Sequence, residues 1–164
     1  MSESISFTVF GTPAPQGSGK AFVHNTKDGR TIAKVTHDSK KTMPYRQNVA
    51  QMCALAVRDL STVLTPDAVV PFSAPRGVPV ALRIVFYLAK PASARKRDLW
   101  PVKRPDLDKL VRACGDALAG GMAYEDDSQV CDLIVSKRFG LPERTEVTIT
   151  VIEEEHGTGK GERG

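Results

Sequence analysis

The chain contains no apolar run near the roughly 18 residues that a membrane span needs, so no membrane segment is expected. The opening residues, Met1-Ser-Glu-Ser-Ile-Ser-Phe-Thr-Val9, lack the basic and apolar stretches of a secretory signal, and none is expected. Cysteine is scarce. Cys53, Cys114 and Cys131 are odd in number, show no CxxC spacing and each sit in an apolar context. That argues against a disulfide framework or structural zinc, and for reduced, mostly buried thiols in a cytoplasmic protein. His24, His37 and His156 form no metal-binding spacing, and no internal repeat is visible. Between Lys20 and Arg46 acids are scarce too: seven Lys/Arg stand against Asp28 and Asp38 alone.

What is present fits one domain. A chain of 164 residues, 41% apolar and 26% charged, can bury a sizeable core. A domain over residues 1–155 and a Gly-rich, charged, disordered tail over 156–164 are expected. The net charge of +4 is modest, but its distribution is not even. A second basic cluster, Arg95, Lys96, Arg97, Lys103 and Arg104, surrounds Asp98. Such clusters beside acids read as a phosphate-tracking surface next to a metal pocket, against the plainer reading of solvated loop charge.

Periodicity supplies the elements. Ile5, Phe7 and Val9 alternate with polar residues, which predicts a strand over Ser4–Phe10. Residues 21–35 read as a hairpin turning at Lys27-Asp28-Gly29. Ser39 or Thr42 caps a helix over about Pro44–Leu60, with Val49, Met52, Cys53, Ala56 and Leu60 on one face. Val80–Leu88 reads as a central strand and Ala89–Pro105 as a long basic loop, a length usually reserved for function. Asp106–Leu118 reads as a second helix with Leu107, Leu110, Val111, Cys114 and Leu118 buried, ended by Gly120-Gly121. Strands over Gln129–Phe139 and Glu146–Ile152 follow, joined by a turn at Gly140-Leu-Pro-Glu143. The order predicts an α/β fold: a mixed β-sheet packed with two main helices in a single domain.

The chemistry concentrates around that second helix. Asp106, Asp108, Glu125, Asp126 and Asp127 flank it. Clustered carboxylates repel one another, so they stabilise nothing unless a cation joins them. Singly, Asp106 suits a helix cap and Asp108 the helix dipole. Asp108, Arg112 and Asp116 are four apart and form one polar stripe, which reads either as surface ion pairs or as a metal ligand beside a phosphate-holding arginine. Arg112 is too basic to act as a general base. A return strand after the helix is expected to bring Asp127 back to the helix N-terminal end.

Gly17-Ser-Gly-Lys-Ala21 resembles a phosphate loop only superficially. Ala14 stands where the first glycine is needed, and Ala21 follows the lysine in place of Ser or Thr. No nucleotide cofactor is expected. Lys20 on a Gly-rich loop is read instead as a DNA phosphate contact.

Pro105-Asp-Leu-Asp-Lys-Leu-Val-Arg-Ala113, Asp116-Ala-Leu118 and Tyr124-Glu-Asp-Asp-Ser-Gln-Val130 together resemble the signature of the RusA family of phage and prophage Holliday junction resolvases. The resemblance implies a RusA-like fold and a homodimeric, Mg²⁺-dependent endonuclease, with Mn²⁺ as a substitute ion, that cuts four-way or branched DNA in recombination and repair. It places metal ligands on Asp106, Asp108 and Asp127. The family's catalytic lysine falls on Arg112, and its asparagine after the second aspartate falls on Lys109. A family basic residue in the following strand falls on Lys137. Lys20, Arg95, Lys96, Arg97, Lys103, Arg104, Lys109 and Lys137 are the expected DNA-binding residues. The departures at Arg112 and Lys109 leave one alternative, a catalytically weak or silent branched-DNA-binding protein.

Overall fold

The computed structural model describes residues 3–17, 20–25, 31–36, 40–63 and 72–153. The expected turn at Lys27-Asp28-Gly29, the Ser39 cap and the tail over 156–164 lie outside the described residues. The elements run β1 (Ser4–Phe10), β2 (Lys20–Asn25), β3 (Thr31–Thr36), α1 (Thr42–Val63), β4 (Val80–Leu88), α2 (Leu107–Gly120), β5 (Val130–Phe139) and β6 (Arg144–Val151). One short 3₁₀ turn, Asp127–Gln129, precedes β5.

Four strands form a mixed sheet in the order β1-β6-β4-β5. β6 is antiparallel to both β1 and β4, whereas β4 and β5 are parallel. β2 and β3 pair separately as an antiparallel hairpin, with Ala21 opposite Val35. The inner position of β4 follows from its residues. Val80, Leu82, Ile84, Phe86 and Leu88 alternate into the core, and Val85 and Tyr87 on the other face are only partly exposed. A strand apolar on both faces is stable only when flanked on both sides.

Both helices cover one face of this sheet, α1 against β1 and α2 against β5, and they also pack on each other. On α1, Tyr45, Val49, Cys53 and Val57 recur every four residues and are buried. On α2 the buried set is Leu110, Ala113, Cys114, Ala117 and Leu118, while Leu107 and Val111 are only partly buried. Sequence periodicity shifted the stripe because α2 has two neighbours, and small alanines serve where helix and sheet come close. Gly121 ends α2 against α1: a Cβ there would lie 2.6 Å from the Cβ of Cys53. Thr42 opens α1 and donates its hydroxyl to the Pro15 carbonyl (2.7 Å), tying the helix to the first loop. Truncating a fully buried residue such as Ile84 or Leu110 to alanine is expected to cost about 2–5 kcal/mol.

Expected boundaries move by one to three residues, and one of these shifts bears on the site. Gln129 does not open β5; it closes the 3₁₀ turn, buried. Its Oε1 accepts from the backbone N–H of Glu125 and Asp126 (2.9 Å each), and Nε2 lies 2.9–3.1 Å from the carbonyls of Ala74, Pro75 and Val78. A carboxamide so fully engaged fixes the turn that carries Asp127. No helix among the described residues is long and apolar enough to cross a membrane.

Parallel strands require a crossover, and α2 provides it between β4 and β5. The C-terminal ends of both strands therefore meet the N-terminal end of α2. The candidate site lies there.

Candidate metal and nucleic-acid site

Asp106 occupies the N-cap of α2 in extended conformation (φ −72°, ψ 137°), yet its side chain makes no capping hydrogen bond. Its Oδ2 lies instead 3.2 Å from Nζ of Lys109, one turn along the helix. The first-turn amides do not consume this carboxylate, so its ligating capacity is kept. Asp108 follows in the first turn and is exposed, where the helix dipole favours a negative charge.

Two long-range contacts hold this helix end. The Gln16 backbone N–H donates to the Lys109 carbonyl (3.0 Å), which docks the first loop on the first turn. The Gln16 Oε1 is buried without a partner. From the other side, Nζ of Lys137 donates to the carbonyls of Lys103 and Pro105 (2.9 Å each). Lys137 thus fixes the backbone immediately before Asp106, a task that sequence reading did not foresee for it.

Asp127 lies elsewhere. Its carboxyl is held above the ordinary carboxylate range, first by partial burial and then by the Asp116 and Asp126 charges. Asp116 is eight residues, about 12 Å of helix, beyond Asp108. The expected return of the chain brings Lys137, not Asp127, to the N-terminal end of α2. The physical reason is strand direction: β5 starts beside the C-terminal half of α2 and reaches its N-terminal end only seven residues into the strand, at Lys137. Among the described residues no group of three or more His, Cys, Asp or Glu is placed to hold a metal ion. Asp106 and Asp108 adjoin in one chain; Asp127 stands apart from them.

The acids around Asp127 have separable tasks. Asp126 caps the 3₁₀ turn, accepting from the Ser128 N–H (2.8 Å), and hydrogen bonding from the Ser128 side chain and then its backbone lowers its pKa. The spacing Asp126-x-x-Gln129 is that of a capping box and was readable as such. Asp116 does not pair with Arg112. It meets Arg46 from α1 at 3.4 Å. Among the described residues Arg112 makes no salt bridge, and it is exposed on the stripe between Asp108 and Asp116.

The basic loop adjoins Asp106 directly. Arg95, Lys96, Arg97, Lys103 and Arg104 are exposed along it, and Lys109 is half-buried beside it. Lys20 opens β2, opposite Thr36, on the separate hairpin. Between the loop and the ends of β4 and β5 lies a cavity of about 570 Å³ whose lining extends to Pro105.

A family model described as endodeoxyribonuclease RusA matches residues 12–150, which include every aspartate and lysine of this site. The chain belongs to the RusA endodeoxyribonuclease family. It is also 31% identical over 147 residues to the uncharacterized protein YqaN of Bacillus subtilis (strain 168), a match covering 90% of this chain and 96% of that one. Membership makes the single mixed-sheet domain a RusA-like fold and makes DNA the substrate class.

Proposed function

We propose that this protein is a Mg²⁺-dependent, structure-selective endodeoxyribonuclease that resolves Holliday junctions and related branched DNA as a homodimer, in recombination and repair. The observation that carries the reading is the uncapped Asp106 beside Asp108, at a helix N-terminus bordered by a basic loop, in a chain of this nuclease family. Hard oxygen donors suit Mg²⁺, with Mn²⁺ as a substitute. A bound Mg²⁺ supplies Lewis acidity toward the scissile phosphodiester. Asp106 and Asp108 hold it, Arg112 stabilises charge developing on the phosphate, and the 89–105 loop tracks the backbone of the DNA.

Two carboxylates from one chain are few for such an ion, and the dimer supplies the third. β5 is an edge strand of ten residues, with Leu133 and Ile134 exposed at its middle. A long edge strand carrying exposed apolar residues invites pairing with a second copy. Antiparallel pairing about the middle of β5 sets the Asp127 end of one strand against the Lys137 end of the other. Asp127 of the partner subunit then joins Asp106 and Asp108, twice per dimer, matching the two strands that a junction must have cut.

The second reading, a weak or silent branched-DNA-binding protein, draws on the Asp106–Lys109 contact, since an ammonium at 3.2 Å competes with a metal for that carboxylate. A labelled four-way junction, incubated with and without Mg²⁺, distinguishes the two. Metal-dependent, paired nicks support the nuclease. Tight binding without cleavage in either Mg²⁺ or Mn²⁺ supports the binding protein.

A further inference from the structure

We propose that the cavity beneath the 89–105 loop is a pocket for a single unstacked nucleobase, with Trp100 as its stacking platform. The inference deepens the DNA-cleaving reading above and rests on it. At about 570 Å³ the cavity falls within the range of roughly 300–1,000 Å³ usual for small-molecule sites. Its walls are apolar and aromatic, including Leu88, Pro91, Trp100, Pro101 and Phe139, and Arg95, Lys103 and Arg104 border it. An apolar aromatic lining with a cationic rim complements a base and its flanking phosphates, as in single-strand binding sites.

Folding alone does not account for the loop. Leu99, Trp100 and Val102 remain 74%, 53% and 87% exposed within four residues of chain. Yet the loop is braced. Nζ of Lys90 donates to the Lys96 carbonyl (3.2 Å), and the Arg95 N–H donates to the Asp98 carboxylate (2.9 Å). The Arg138 guanidinium sits 4.8 Å over the Trp100 ring and steadies it without covering it. The second acid lining the cavity, Glu143, is engaged by the Thr12 hydroxyl (2.6 Å) and the Ala89 N–H (3.1 Å). These contacts hold an exposed indole in place, which lowers the ordering cost of binding.

Position selects the occupant. The lining runs through Lys103, Arg104 and Pro105 to the residue before Asp106. A base seated there belongs to a nucleotide close to the phosphate that faces the carboxylates. Paired bases are held in the stack and cannot enter, whereas bases at a branch point unstack at low cost. The pocket thereby favours branched over continuous duplex DNA.

Trp100 is the only tryptophan in the chain, so its emission reports the pocket directly. Full-length protein in Ca²⁺ is titrated with a dye-labelled four-way junction, and with the same junction carrying abasic residues at the branch point. Dye anisotropy follows binding; tryptophan emission follows stacking. The intact junction is expected to quench Trp100, while the abasic one binds more weakly and without quenching. Trp100→Ala should weaken binding of the intact junction roughly 5- to 100-fold, leave the abasic one unchanged, and be largely rescued by Trp100→Phe. Equal quenching by the two junctions, or unchanged affinity of Trp100→Ala for the intact one, overturns the pocket while leaving the nuclease reading in place. No anisotropy change with either junction overturns both.

Discussion

The Lys137 ammonium is bonded at 2.9 Å to the Pro105 carbonyl, which joins the C-terminal half of β5 to the residue before Asp106. A second bond, to the Lys103 carbonyl, makes Lys137 a clasp on the loop that delivers the Asp106 end of α2. Its position in the chain suggests a DNA contact; its two bonds to backbone carbonyls suit a positioning role.

The two roles predict different phenotypes for Lys137→Met. Two charge-assisted hydrogen bonds are lost from a partly exposed site, for a stability loss of about 1–3 kcal/mol. As a clasp, Lys137 sets the aim of Asp106, so the Mg²⁺ concentration for half-maximal cleavage should rise several-fold, with the salt dependence of junction binding unchanged. A salt slope reduced by about one unit would instead mark a phosphate contact. Metal titration and salt-dependent anisotropy on the same variant decide between them.

Lys109 should act in the opposite direction. Its ammonium lies 3.2 Å from Oδ2 of Asp106, and both side chains are partly exposed. Removing it by Lys109→Asn takes away a cation that competes for the carboxylate. The expected result is half-maximal cleavage at lower Mg²⁺, with somewhat weaker junction binding. An unchanged or raised Mg²⁺ requirement would show that Lys109 does not compete with the metal.

The Asp127 carboxyl has a sign that can be read in metal-free buffer. Partial burial, with Asp116 and Asp126 nearby, raises its pKa in the folded chain. The folded state therefore binds this proton more tightly than the unfolded state, and stability falls as pH rises above the ordinary aspartate value of about 3.9. In EDTA, Asp127→Asn should melt higher than wild type at pH 7. The advantage should shrink as pH falls through the raised folded value toward about 4, and be gone below that, where both states of wild type are protonated. A melting temperature for the variant at or below wild type at pH 7 would contradict the raised pKa.

The elements were legible because burial leaves a period. Alternation placed β1 and β4, and the recurrence of apolar residues located both helices. The carboxylates themselves stood out by composition. Their grouping was not legible, because Asp106, Asp127 and Lys137 are ordered along the chain without revealing that β5 runs parallel to β4. That direction decides which of the latter two reaches the N-terminal end of α2, and it is a tertiary fact. Trp100 is not legible in the sequence for a different reason. A lone aromatic in a loop has no period, and only the cavity beside it and Arg138 above it distinguish it.

The separation of Asp127 from Asp106 makes its strongest prediction through mixed dimers. Asp106→Asn and Asp127→Asn are each expected to abolish cleavage while still binding a junction. If all ligands came from one chain, every subunit of a mixed dimer would carry one defect, and mixing the variants would restore nothing. With ligands shared across the dimer, the Asp127→Asn subunit contributes intact Asp106 and Asp108, and the Asp106→Asn subunit contributes intact Asp127. One of the two sites is then complete and the other doubly defective. Mixing the two inactive proteins, with time for subunit exchange, should therefore recover single-strand nicking of a four-way junction but not paired resolution. Asp106→Asn mixed with Asp108→Asn should recover nothing, since both defects fall on the same half-site. No recovery in the first mixture despite demonstrated exchange would return Asp127 to its own chain and rule out pairing at the β5 edge; recovery in the control would show that Asp106 and Asp108 do not belong to the same half-site.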